Sequence, residues 1–155
     1  MKENPRMCHH LHIPVQSACN ETLRRMNRPY TIEEFKEKIN YIRSCIPDIS
    51  ISTDVIAGFV QESDEEFETT YENLADLELS FFHVFPYSKR NGTKASTLKG
   101  EINGKIAKAR VARLLELSNA CREKDMQRFN PVQVLKKNKM VTIQDIQTNI
   151  IHVRY

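Results

Sequence analysis

"ISTDVIAGFVQESDEEFETT", residues 51–70, contains a complete passage from one kind of backbone to another. Ile51, Thr53, Val55 and Ile56 are β-branched, the residue type that packs best on a pleated surface. The run extends from Ile49 to Phe59, and its second half is apolar at every position except Gly58. Such continuity is expected of a strand covered on both faces, as in parallel α/β sheets. Asp54 interrupts it, a costly placement unless the carboxylate is paired or faces a site. Ser63-Asp64-Glu65-Glu66 then forms a capping box, in which Ser63 and Glu66 satisfy each other's backbone donors at a helix start. Phe67, Tyr71, Leu74 and Leu77 follow on one side of the helix so opened.

The same grammar repeats in both directions. Upstream, His9-His10-Leu11-His12-Ile13-Pro14-Val15-Gln16-Ser17 reads as a buried strand with a sudden polar end. Asn20 is positioned to cap a short helix carrying Leu23 and Met26. Thr31-Ile32-Glu33-Glu34 is another capping box, leading into a stripe of Phe35, Ile39, Ile42 and Ile46 that Pro47 stops. Downstream, Phe81-Phe82-His83-Val84-Phe85 is a third strand, ending in the loop Tyr87-Ser88-Lys89-Arg90-Asn91-Gly92-Thr93. A long basic and apolar helix is expected over roughly 103–129, with Ile106, Leu114, Leu117 and Cys121 on or near one face. Three strand–helix repeats imply right-handed crossovers and a parallel sheet, an α/β fold. After Asn130-Pro131 the pattern changes to three short strands, Val132–Leu135, Met140–Ile143 and Ile150–Val153, around a basic Lys136–Lys139 turn. The expected organisation is 1–129 as one unit and 130–155 as a short β-rich tail, too small to bury a core alone.

Composition narrows the class. The chain has 155 residues, 28% charged and 40% hydrophobic, as in ordinary globular proteins. Its formal charge of +3 hints weakly at an anionic partner. No run of about 18 apolar residues is present to span a membrane. The polar N-terminus lacks the core of a signal peptide, so the cytoplasm is the expected compartment. Cys8, Cys19, Cys45 and Cys121 are scattered singly, which fits free thiols rather than a zinc finger or a disulfide framework.

The polar strand ends carry the chemical interest, because in parallel α/β architectures ligands bind where strand carboxyl ends converge. Those ends offer Gln16 and Ser17, the Asp54–Gly58 stretch, and Tyr87, Ser88 and Arg90. Arg90 has the planar fork that grips a carboxylate or phosphate, or is a solvated loop charge. Arg24, Arg25, Arg28 and the 105–113 cations face RNA phosphates or simply solvent. Cys8, His10 and His12 alternate and would share a strand face as metal ligands do. With no fourth ligand nearby they read as ordinary strand residues. There is no Walker loop, dinucleotide-binding glycine motif or nucleophile elbow.

Taken together, "HLHIPVQSACNETLRRMNRPYT", "ISTDVIAGFVQESDEEFETT" and "HVFPYSKRNGTKAS" resemble, in order and spacing, the methylthiotransferase branch of the radical S-adenosylmethionine enzymes. The resemblance covers roughly 5–129 and is closest to the tRNA enzymes acting on N6-threonylcarbamoyladenosine. The isopentenyladenosine enzymes are second and the ribosomal-protein aspartate enzymes third. It implies the C-terminal half of a partial (β/α)6 barrel whose open face holds a 4Fe-4S cluster and S-adenosylmethionine. The implied reaction adds a methylthio group to C2 of an adenosine in the tRNA anticodon loop. The implied cofactor contacts are Gln16, Ser17, Asp54 and Arg90, with Arg28, Tyr87 and Thr93 toward the substrate. The tail faintly resembles the start of a TRAM domain, the family's tRNA-gripping β-barrel, with Thr148-Asn149-Ile150 as the matching core.

Departures from the family pattern matter as much. Gly-Phe-Pro-Gly-Glu-Thr is replaced by Gly58-Phe59-Val60-Gln61-Glu62-Ser63, which predicts a looser or differently shaped loop, since Gly supplies positive φ cheaply. Gln-Ser-Gly-Ser is replaced by Gln16-Ser17-Ala18-Cys19, where a lost glycine is expected to narrow backbone approach to a ligand. The CxxxCxxC triad that would ligate the cluster is absent. The chain is therefore expected to be a fragment that lacks the N-terminal portion of its enzyme, binds no cluster or S-adenosylmethionine alone, and is inactive alone. The alternative is a non-catalytic tRNA-binding or docking module of the same family. An unpaired first strand also leads us to expect a fragment dimer through that exposed edge.

Overall fold

The computed structural model describes residues 1, 3–4, 6–90, 92–128, 132–137, 140–145 and 150–154, the last three stretches as backbone only. Three parallel strands form the central sheet: β1 (His10–His12), β2 (Ser50–Ala57) and β3 (Phe81–Pro86), in the order β1-β2-β3. Between them run α1 (Asn20–Arg25), α2 (Ile32–Cys45) and α3 (Asp64–Asp76), and α4 (Gly104–Gln127) follows β3. His10 stands opposite Ser50 and His12 opposite Ser52, while Asp54 stands opposite His83 and Ala57 opposite Pro86.

The two capping boxes form as read. Thr31 accepts from the Glu34 amide and Ser63 from the Glu66 amide, and each glutamate reaches back to the cap. Asn20 does something different from the expected capping of α1. Cys19 occupies that N-cap without a side-chain bond, and Asn20 Oδ1 instead accepts from the Ile32 amide at 2.9 Å, so it caps α2. Phe35, Ile39, Phe67, Leu74 and Leu77 are buried in one core with Val15, Ile49, Ile51, Val55, Phe82 and Leu114.

β2 is covered on its helix side and, on the other, only at Ser52, which lies buried beneath His10 and His12. Ile51, Thr53, Val55 and Ala57 are buried toward the helices, whereas Ser50, Asp54 and Ile56 stay partly exposed on the other side. The apolar continuity of its sequence therefore overstates its coverage. In α4, Leu114 is fully buried and Leu117 and Cys121 pack against the core, but Ile106 is 45% exposed. Eight residues from Leu114, Ile106 lies about 80° round the helix from the buried stripe, which Ala107 and Arg110 continue instead.

α4 also brackets one edge of the sheet. The Ser118 hydroxyl accepts from the Phe82 amide at 2.9 Å and donates to the Phe82 carbonyl at 2.7 Å, satisfying both groups that Phe82 would offer a further strand. Beyond α4, β4 (Val132–Lys137), β5 (Met140–Asp145) and β6 (Ile150–Arg154) form an antiparallel meander in the order β4-β5-β6. Most of the basic turn between β4 and β5 is described only through its flanking strands. The Thr148-Asn149 part of the TRAM-like core lies outside the described residues.

Candidate cofactor and substrate face

The carboxyl ends of the three strands lie side by side. After β1 the chain runs extended to Gln16, whose amide donates to Asp54 O at 2.9 Å and whose carbonyl accepts from Ile56 N at 2.8 Å. Tyr87 N donates to Ala57 O at 2.9 Å, which brings the end of β3 alongside the end of β2. Gln16 adopts φ +67°, the left-handed region, and this turns the chain out of the sheet immediately beyond the bridge. The Tyr87 ring packs edge-on to Phe59 at 5.0 Å, and its buried hydroxyl has no partner among the described residues. Gln16, Asp54 and Tyr87 thus belong to neighbouring strand ends, with Tyr87 beside Ala57 and so beyond Asp54 along β2.

The other sequence-predicted residues fall into two groups. Arg90 is exposed in the loop beyond Tyr87, and its carbonyl accepts from Thr93 Oγ1 at 2.8 Å. Thr93 itself caps the short 3₁₀ turn Lys94–Thr97. Arg28 is exposed and sits close to Tyr30, whose hydroxyl donates to Val15 O at 3.1 Å, placing this segment on the strand-end side. Ser17 turns inward. It is fully buried, and its Oγ lies 3.2 Å from Thr70 Oγ1, so its side chain steadies the Gln16 corner from behind. Ala18 also faces the core, where its carbonyl accepts from Asn73 Nδ2 at 2.8 Å. Its methyl therefore does not crowd the open face, contrary to the expectation for that substitution.

The basic residues are mostly committed. Arg24 pairs with Glu21, Arg25 with Glu66 and Arg113 with Glu68. The Arg25 guanidinium holds the Glu66 carboxyl below the usual carboxylate range. Arg110 is buried against Glu62.

The loop 58–62, expected to be looser or differently shaped, is tied down by the hydrogen bonds of Glu62 and Gln61. Glu62, 2% exposed, accepts from the Gly58 amide at 2.9 Å and from Arg110 Nη1 at 2.8 Å. Gln61 N donates to Gly100 O at 2.9 Å, and Gln61 Nε2 to Lys99 O at 2.8 Å. Gln61 holds φ +62°, so the left-handed turn survives without its glycine. Burial pushes the Glu62 carboxyl above its ordinary range, against the pull of Gly58 and Arg110. Gly58, at φ +73°, has no room for a side chain: a Cβ there would meet Ala107 Cβ at 2.9 Å.

Below the strand ends, the open sheet face carries a set of which the sequence reading joined only His10 and His12, on one face of the first strand. His10, His12, Ser52, Asp54, Phe81, His83 and Phe85 all project to this side. His12 Nε2 is 3.3 Å from Asp54 Oδ2, and the rings of His12 and His83 lie 5.9 Å apart. The signal for the set was present as a period-two pattern in all three strands. A separate groove of about 420 Å³, lined by Arg43, Leu79, Cys121 and Lys124, lies toward the opposite ends of the strands.

An open-faced parallel sheet with helices behind it and polar strand ends defines a barrel-derived α/β segment, and residues 1–74 of the chain match the radical SAM superfamily. Coproporphyrinogen III oxidase from Escherichia coli, described as a radical SAM enzyme, shares this fold. It superposes with a TM-score of 0.57 over 76% of this chain and 27% of its own, at 21% identity. The sequence is also similar to tRNA-modifying methylthiotransferases. The threonylcarbamoyladenosine tRNA methylthiotransferase of Bacillus subtilis is 40% identical over 119 residues, 77% of this chain and 26% of that protein. The Aquifex aeolicus enzyme of the same name is 42% identical over 137 residues, 86% of this chain and 33% of that protein. The tRNA-2-methylthio-N(6)-dimethylallyladenosine synthase of Thermodesulfovibrio yellowstonii is 40% identical over 129 residues, 83% and 30% of the two chains. The chain thus spans between a quarter and a third of the length of these relatives.

The superfamily implies S-adenosylmethionine and an iron–sulfur cluster, and the residues here fit the two unequally. Among the described residues no group of three His, Cys, Asp or Glu could hold a metal ion, and the four cysteines do not converge. The chain does not fit a cluster. The strand ends offer a polar cofactor an acceptor at Asp54 and the Gln16 corner on the neighbouring strand, while the unpartnered Tyr87 hydroxyl is buried further along against Phe59.

Proposed function

We propose that this chain supplies part of the cofactor and substrate face of a tRNA methylthiotransferase acting on N6-threonylcarbamoyladenosine beside the anticodon. The placement of Gln16, Asp54 and Tyr87 at neighbouring strand ends carries the reading, in a chain about 40% identical to enzymes named for that reaction. When bound, S-adenosylmethionine supplies the radical chemistry, and the chain's own side chains bind and orient. Gln16 and Asp54 hold the cofactor's polar groups, with Ser17 bracing the Gln16 corner. Arg90 faces its carboxylate. Arg28, Tyr87 and Thr93 lie toward the tRNA, and the β4–β6 meander is the start of a TRAM-like RNA-gripping barrel. No helix among the described residues is long and apolar enough to cross a membrane, and we place the protein in the cytoplasm with its tRNA.

Deleting the gene and measuring tRNA nucleosides by mass spectrometry tests this. Loss of the 2-methylthio form of N6-threonylcarbamoyladenosine is the expected result. Because relatives of equal identity are named for dimethylallyladenosine, loss of that derivative alone would move the substrate to the second class. Full retention of both would overturn the proposal. In the complete enzyme, Arg90→Ala should raise the dissociation constant for S-adenosylmethionine, and an unchanged value removes that role.

A further inference from the structure

Four side chains on the open face are strung together below the strand-end residues. Ser52 Oγ lies 3.0 Å from His10 Nε2 and 2.9 Å from His12 Nδ1, and His12 Nε2 lies 3.3 Å from Asp54 Oδ2. Ser52 is fully buried, so its hydroxyl has only these partners to satisfy it. A hydroxyl has one hydrogen to give, a neutral imidazole has one donor and one acceptor nitrogen, and an ionised carboxylate only accepts.

These inventories fix the direction of the chain. Neutral His12 facing Asp54 carries its proton on Nε2, which leaves Nδ1 an acceptor for the Ser52 hydrogen. Ser52 then offers His10 only lone pairs, and His10 must carry its own proton on Nε2. The hydrogen bonds run His10 to Ser52 to His12, and the His12 Nε2–H faces the Asp54 carboxylate in an ionic contact at 3.3 Å. We propose that His12 is the positioning residue that holds the Asp54 carboxylate in one orientation on the open face, and that Ser52 couples the tautomers of His12 and His10.

The coupling follows from proton counting. If His12 gains a proton, both of its nitrogens donate. Ser52 must then accept from His12 and turn its hydrogen toward His10 Nε2. His10 gives up the proton it held there and takes one on Nδ1 from solvent. The pair gains one proton in all, and no electrons move. His10 therefore registers the charge on His12 without touching it.

The surroundings suit this arrangement. His83 faces His12 from β3, and Phe81 stacks on His10 at 6.1 Å between ring centroids. From α4, Arg122 lies over Phe81 at 5.0 Å, and Asp125 acts on His10 electrostatically. Burial, then the nearby His12, push His10 below the ordinary histidine range, with Asp125 pulling partly back. Burial thus disfavours a charge on His10, the member of the pair that the tautomer switch needs neutral.

The role assigned to Asp54 rests on the proposed cofactor face, but the relay can be tested without it. Long-range ¹H–¹⁵N NMR of the histidine-labelled 155-residue chain, from about pH 8 down to pH 5, reads each ring's tautomer directly. Expected is Nε2–H on both rings at high pH. As His12 charges, His10 should change to Nδ1–H while staying neutral, and Ser52→Ala should abolish that change. His10 keeping its tautomer through the His12 titration, or the change surviving in Ser52→Ala, overturns the coupling. For the positioning role, Asp54 χ1 couplings should report one rotamer in the native chain and an average in His12→Ala. A single rotamer persisting in that variant refutes it. None of these readouts involves cofactor, tRNA or turnover, so they fail or succeed independently of the proposed activity.

Discussion

Replacing Arg110 by methionine should produce the largest single loss of stability on the strand-end side. Arg110, 5% exposed, reaches from α4 to Glu62 Oε2 at 2.8 Å and to the Glu62 carbonyl at 2.9 Å, while its other arm meets Asp64 at 2.6 Å. Methionine keeps much of the volume that packs over the Phe67 ring. It leaves the Glu62 carboxylate buried, with the Gly58 amide as its remaining partner. Breaking a buried pair in this way costs about 3–5 kcal/mol, and the bond to the exposed Asp64 adds little. With a urea m-value of about 2 kcal/mol/M, the unfolding midpoint should fall by about 2 M. The loss should also depend on pH. The folded-state pKa of Glu62 already stands above its ordinary value of 4.5, so its burial is best tolerated below pH 4.5 and stability is lost as pH rises through the folded value. Removing the cation raises that folded value further, so the variant's deficit should be larger at pH 7 than at pH 5. Arg110→Met combined with Glu62→Gln should recover more than half of the loss, because the amide oxygen still accepts from Gly58. Urea unfolding followed by circular dichroism at both pH values provides the test. A loss below about 1 kcal/mol at pH 7, or equal losses at both pH values, would refute the reasoning.

Three further outcomes are expected. Gln61→Ala and Gln61→Gly both lose the bond to Lys99 O, but only alanine keeps a Cβ at φ +62°, so thermal melts should find Gln61→Ala less stable by about 1 kcal/mol. Ser118→Ala strands the Phe82 amide and carbonyl at the sheet edge and should cost about 1–3 kcal/mol in urea unfolding. It should also raise the tendency to aggregate, which light scattering would detect. Glu66, held low by Arg25, contributes stability that is complete above pH 4.5 and is lost as pH falls toward its depressed folded value. Arg25→Gln should flatten that acid limb in a series of melts below pH 4.5, and an unchanged limb would discount the pair.

The strand–helix alternation was legible because α2 and α3 each start with a reciprocal cap and β2 and β3 are dense β-branched or aromatic runs. Thr31, Ser63 and the register of Leu114 all behave as local chemistry dictates. The placement of Gln16, Asp54 and Tyr87 at neighbouring strand ends was legible only as three separate ends, since their adjacency depends on strand order. What the sequence hid is mostly long-range. Asn20 looked like the cap of the helix it begins, but it serves a helix twelve residues on. Glu62 looked like a loop carboxylate, but its partner Arg110 comes from a different helix. The open face was misjudged for β2 because Val55 and Ala57, which face the core, sit between Asp54 and Ile56, which do not. His10 and His12 were correctly placed on one side, yet Ser52, which joins them, drew no notice as a small hydroxyl within a strand.

The Ser118 bracket over Phe82 makes this sheet a template with two unequal ends. A further strand beside β3 would have to displace Ser118 from the Phe82 amide and carbonyl, whereas no such bracket is seen beside β1 among the described residues. Two copies meeting through β1 would consume the unbracketed edge of each, favouring a closed two-fold pair over a growing fibre through this sheet. A single serine on a helix thereby biases where edge pairing can begin.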